Sequence, residues 1–297
     1  MKGRTKMKTK TAELTKRTVE SALMIAFATV LSVLKLVDMP YGGSVTLASM
    51  LPIAMIAYRH GTAWGFITGG AYAVVQQLLG LENFSYLPVP TWQAMLALCV
   101  LDYALAFAAI GLGGIFRGRL RRGGANAASA QARELALGVA LVSVIRYLMH
   151  TVAGFTVWAG LAIPDAAALW YSVGYNATYM IPETLVNVTV ALYIGSLIDL
   201  TRRVPGVFTD AQRGIVGAEP RVRGIVRRLL ALLIAAAIVA DAKLIFKHVQ
   251  DPETGELTLA YLSEVNWIAV VVLSAACAVA AVAIFVYLKR SAPKSEG

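Results

Sequence analysis

His150 and Arg146 stand in "RYLMHTVAGFTVWAG", residues 146–160, a run long and apolar enough to cross a membrane. Titratable groups at that depth are costly, so each needs a partner or a task. Asp102 lies in a second such run, "VLDYALAFAAIG", and Tyr171, Tyr175, Asn176 and Glu183 lie in a third, "WYSVGYNATYMIPE". An acid, an imidazole, an amide and phenols suit a cationic or heteroaromatic solute: the carboxylate neutralises charge, while Asn and His supply directional hydrogen bonds. Trp158 adds an indole face, which attracts cations. His150, Gly154 and Trp158 recur every fourth residue and so form one stripe on a helix. Gly154 has no side chain, which leaves a gap between imidazole and indole that a flat guest could occupy.

Whether these groups meet depends on the elements that carry them. The chain has 297 residues, 58% of them hydrophobic and only 15% charged, and the apolar excess falls in blocks. Blocks of roughly 20 residues are what a hydrocarbon core about 30 Å thick selects. They fall near 18–37, 47–59, 62–80, 92–116, 134–160, 171–199, 226–247 and 265–288. The second is short, so the second and third predict a tight helical hairpin. Basic residues collect at the N-terminus, at Arg59, in "FRGRLRRGG", from "TRRV" through "RVRGIVRR" and in "YLKRSAPK", whereas the intervening loops hold acids. Every second loop is basic, so the pattern predicts an all-α polytopic membrane protein with eight spans and both termini in the cytoplasm. No small-residue cleavage site closes the first block, which reads as an uncleaved span.

That orientation sets depth at about 1.5 Å per residue. Asp102 then lies roughly 15 Å below the outer surface, with His150 at nearly the same level and Asn176 within about two turns of the rim. Trp158 and Tyr171 stand near the rim itself. Three helices thus bring polar groups to the outer half of the bilayer. The alternative is a set of groups that only bond to one another, beneath an ordinary interfacial aromatic belt. Arg146 lies one turn deeper, at the level of Glu183, and the two read as a structural ion pair; Asp102 is the other acid within reach.

Other chemistries find less support. Cys99 and Cys277 sit inside apolar blocks, and His60, His150 and His248 are scattered without ligand spacing, so no metal site or cofactor is expected. The net charge of +10 resolves into loop clusters and does not call for nucleic acid. Asp102 with His150 could serve an intramembrane enzyme as an acid–base pair, but no nucleophile motif or glycine-rich phosphate loop accompanies them. A stand-alone secondary transporter of a cationic solute is a further alternative.

"MPYGGSVTLASMLPIAMIAYRHG", "GFITGGAYAVVQ", "LDYALAFAAIGLGGIF", "RYLMHTVAGFTVW" and "YSVGYNATYMIPE", in that order over roughly residues 15–200, resemble the thiamine-specific S component of energy-coupling factor (ECF) transporters. The resemblance implies a six-helix core in a prokaryotic plasma membrane that binds thiamine from outside. It would dock on a transmembrane coupling subunit and two ATP-binding-cassette ATPase subunits, the latter using the ATP. It also implies that His150 and Trp158 embrace the thiamine rings, with Tyr171, Asn176 and Asp102 at matching site positions and Trp92 a looser match at the rim. The loop after helix one supplies a tryptophan and a glutamate in some members; "YGGSVTLASM" holds neither. Ala22 and Ala26, four residues apart, offer a small-residue face for docking on the coupling subunit. The chain then divides into a basic N-terminus (1–17), the vitamin-binding core (18–200), a Gly/Pro-bearing linker (201–225), a two-helix hairpin (226–288) that the family core lacks, and a tail (289–297).

Overall fold

The computed structural model describes residues 2–39, 43–87, 90–120, 126–158, 166–209 and 211–213, parts of 226–248, and 260–290. Much of the expected linker and tail lies outside the described residues. Helix α1, Lys2–Val33, runs unbroken from the basic N-terminus into the first apolar block. It stops four residues short of the expected end of that block. Lys35–Asp38 instead form strand β1, paired antiparallel with β2, Ser44–Thr46, with Val37 opposite Val45. Lys35 and Asp38 are exposed and Val37 is buried, and the pairing register shifts between Lys35 and Val37, an irregularity that turns Val37 inward.

Helix α2, Leu51–His60, carries Pro52 in its first turn, where the missing N–H costs nothing. At ten residues it spans only about 15 Å, too short to cross a bilayer alone. Gly61 at φ +94° reverses the chain directly into α3, Thr62–Leu79, so the expected hairpin turns on one residue that needs the left-handed side of backbone space. Helix α4, Trp92–Gly114, starts on a Thr91 cap whose hydroxyl accepts the Ala94 N–H at 3.2 Å. It widens to π geometry over Cys99–Leu105 and tightens to 3-10 over Ala109–Gly114. Helix α5, Ala127–Ala153, is capped by Asn126 and ends in a second π segment, Gly154–Trp158. Helix α6, Ala166–Leu197, lies against α5 and contains Pro182. Strands β3, Ile198–Asp199, and β4, Gly206–Val207, close the core. Helix α7, Trp267–Arg290, follows.

Among the described residues, Trp92–Gly114, Ala127–Val157, Ala168–Leu197 and Trp267–Ile284 are long and apolar enough to cross a membrane. The chain is an all-helical membrane protein. Tyr58, Tyr72, Met50, Ile53, Leu98, Ile110 and Leu135 fill its interior. At the end of the bundle formed by the start of α5, Glu134 is fully buried. It accepts from the Tyr58 hydroxyl at 2.5 Å and from the N–H groups of Gly118 and Leu120 at 2.9 and 2.8 Å. Arg59 there grips Glu20 through two nitrogens, at 2.7 and 3.0 Å, and donates to the carbonyls of Leu200, Arg202 and Arg203. These bonds tie α1, α2 and the exit of α6 into one frame. Helix α7 keeps apart: none of its apolar window is buried, and its Ser274 hydroxyl donates to Asp241 at 2.6 Å.

Candidate functional site

Both π segments lie where the polar groups gather. A π turn inserts an extra residue and shifts the side chains beyond it, a distortion frequent at functional sites. The first presents Asp102 from α4 and the second follows His150 on α5. Asp102 Oδ1 and His150 Nδ1 meet at 2.8 Å, their side chains 15% and 12% exposed. A carboxylate only accepts, so Nδ1 donates. This pairing leaves Arg146 to Glu183, 3.8 Å away across the α5–α6 interface, with both side chains buried. Arg146 also lies over the Phe107 ring at 4.9 Å and 3.5 Å from Met50 Sδ. The Thr46 hydroxyl of β2 donates to the same Glu183 carboxylate at 3.1 Å, which binds the hairpin after α1 to the core.

Asn176 is buried on α6, one turn from Tyr179, whose ring lies 6.5 Å from that of His150. Its Nδ2 donates to Ser172 O and Oγ at 2.9 and 3.2 Å, and Ser172 Oγ donates to the Thr151 carbonyl at 2.8 Å. Tyr171, Tyr175 and Tyr179 climb one face of α6 at four-residue steps. The first two rings stack at 6.2 Å, and the next two meet edge-on at 5.8 Å. Tyr171 is at the exposed end of the ladder and Tyr179 at the buried end.

Two expectations change. The space beside Gly154 is filled: a Cβ there would overlap Ser172 Oγ and stand 3.0 Å from its Cβ. Its missing side chain serves close approach of α5 and α6 rather than leaving room for a flat guest. The π geometry from Gly154 onward also breaks the four-residue stripe that joins His150 to Trp158 in a regular helix. The Trp158 side chain itself lies outside the described residues. Trp92, 70% exposed at the first turn of α4, stands some ten residues up the helix from Asp102, apart from the polar cluster. Ala22 and Ala26 lie on the exposed side of α1, with Leu23, Phe27 and Val30, while Ser21 and Ala28 face inward.

Sequence reasoning did not single out Ser172, Thr151 or Tyr179. The four-residue repeat of tyrosines was the available signal for Tyr179. Nothing in the sequence marks Ser172 as the partner of Gly154.

Long apolar helices with a buried Asp102–His150 contact between two of them mark a polytopic helical membrane protein. Comparisons with known proteins give the family. The thiamine transporter protein family model matches residues 18–200. The chain is 33% identical over 174 residues to the thiamine transporter ThiT of Bacillus subtilis (strain 168), an alignment covering 57% of this chain and 85% of that protein. A solved structure of ThiT from Listeria monocytogenes matches with a TM-score of 0.50 at 23% identity, over 62% of this chain and 94% of that one, and supports the fold. The chain belongs to the thiamine transporter family. It is a transporter rather than an enzyme, and the acid–base alternative for Asp102 and His150 falls away. Residues beyond 200 lie outside the family match.

Proposed function

We propose that the chain captures thiamine from the outer side of the membrane and passes it inward as the S component of an ATP-driven ECF transporter. The observation that carries this reading is the 2.8 Å Asp102–His150 contact between α4 and α5, with Asn176 of α6 accepting from Tyr179, whose ring lies 6.5 Å from that of His150. A carboxylate neutralises the thiazolium, the imidazole and the Trp158 indole contact the rings without the gap at Gly154 that Ser172 fills, and Asn176 bonds the pyrimidine. Tyr171 closes the outer side and Trp92 stands at the mouth. Arg146 and Glu183, one turn deeper, are the scaffold beneath them. Both termini face the cytoplasm, where the basic loops collect.

The small residues Ala22 and Ala26 on the open face of α1 let a coupling-subunit helix approach closely. Two ATPase subunits of that module supply the energy. The expected hairpin 226–288, which the family match does not reach, is an addition to that core. Uptake of labelled thiamine in a host lacking its own thiamine transporter tests the reading, with the chain expressed alone and together with an ECF module. ATP-dependent uptake that needs the module supports it. Uptake by the chain alone, driven by an ion gradient, would instead make it a secondary transporter.

A further inference from the structure

Tyr179 stands between the polar cluster and the β1–β2 hairpin and touches both. It is 8% exposed, and its hydroxyl donates to Asn176 Oδ1 at 2.6 Å. Asn176 Nδ2 meanwhile donates to Ser172 O and Oγ. An amide nitrogen cannot accept the phenol proton and an amide oxygen cannot donate to the Ser172 carbonyl. The two partners therefore fix which end of the Asn176 amide faces which way. The Tyr179 ring lies 6.5 Å from the His150 ring, centroid to centroid. Its other side meets Gly43, where a Cβ would come within 2.8 Å of Cδ1 and Cε1.

We propose that Tyr179 is a positioning residue of the binding site. By holding the Asn176 carbonyl it leaves that oxygen's second lone pair to the ligand, and so selects a solute that offers an N–H donor, such as an exocyclic amine on a heteroaromatic ring. Any other amide orientation would present a donor and favour a ring oxygen. The proposal rests on the thiamine reading above, since thiamine carries such an amine on its pyrimidine.

The test is calorimetric titration of the purified full chain with thiamine and with the analogue in which oxygen replaces the pyrimidine amine. Wild type is expected to prefer thiamine. Tyr179→Phe keeps the ring and loses the hydroxyl; it should weaken thiamine by about tenfold, the cost of one hydrogen bond at a buried acceptor, while affecting the oxo analogue little. Ser172→Ala removes an acceptor at the other end of the amide and should narrow the same preference. Equal losses for both ligands, or unchanged selectivity in both variants, would overturn the role of Tyr179 while leaving thiamine capture standing. Failure of wild type to bind either ligand would overturn the thiamine reading and this role with it.

Discussion

Replacing Glu183 by Gln removes one negative charge from the interior and keeps almost every atom in place. The Thr46 hydroxyl can still donate to the Gln carbonyl, so the hairpin contact at 3.1 Å survives and the change isolates charge. Arg146 is then left 6% exposed without its counter-ion. At an effective dielectric of about 20, unit charges 3.8 Å apart attract by about 4 kcal/mol. Breaking a buried pair from one side costs about 3–5 kcal/mol by the same reasoning, because the remaining charge has lost its solvation and its partner. The Phe107 face contacts Arg146 before and after the change and does not offset it, so the expected loss stays at about 3–5 kcal/mol. Thermal unfolding of the detergent-solubilised protein should show the midpoint falling by roughly 10 °C. Arg146→Met together with Glu183→Gln leaves no orphaned charge and should be more stable than Glu183→Gln alone. A single variant as stable as wild type, or a double variant worse than the single, would refute the assignment of Arg146 and Glu183 as a structural pair.

Gly154→Ala forces α5 away from Ser172 and should cost about 1–3 kcal/mol in thermal unfolding, with much of the loss recovered by adding Ser172→Gly. Asp102→Asn retains the shape of the acid without its charge; it should weaken binding of the cationic vitamin about tenfold, read by equilibrium titration, with little change in unfolding midpoint. Glu134→Ala strips the acceptor from Tyr58 and from the N–H groups of Gly118 and Leu120. The turn carrying Arg117 and Arg119 should loosen, so limited trypsin digestion should cut there several-fold faster than in wild type.

The helices that carry the site were legible because burial depth and period both leave marks in the sequence. Arg146 and Glu183 lie on neighbouring antiparallel helices at one computed depth, and the cost of a lone buried charge pointed each to the other. The same depth reckoning put Asp102 and His150 at one level, but that they bond to each other is seen only in the structure. The β1–β2 hairpin was hidden because three or four apolar-rich residues at the end of a hydrophobic block read as more helix. Gly154 was misread for a reason that no single helix can reveal: whether a missing side chain leaves room or admits a neighbour depends on Ser172, eighteen positions further along on another helix. The two π segments likewise leave no periodic signature, since one extra residue per turn is lost against the noise of a short stretch. The buried Glu134 and Gln131 passed unnoticed because, the Tyr58 hydroxyl apart, their partners are main-chain groups of Gly118, Leu120, Gly195, Ile198 and Leu200, which carry no side-chain signal.

The most direct test of the central claim is equilibrium binding of thiamine to the purified protein, followed by tryptophan fluorescence, in wild type, Trp158→Phe and His150→Ala. The account predicts stoichiometric quenching in wild type, a smaller quench in Trp158→Phe, and weakened binding in His150→Ala with the fold intact. Binding of equal strength in wild type and His150→Ala would place the vitamin elsewhere and contradict the account.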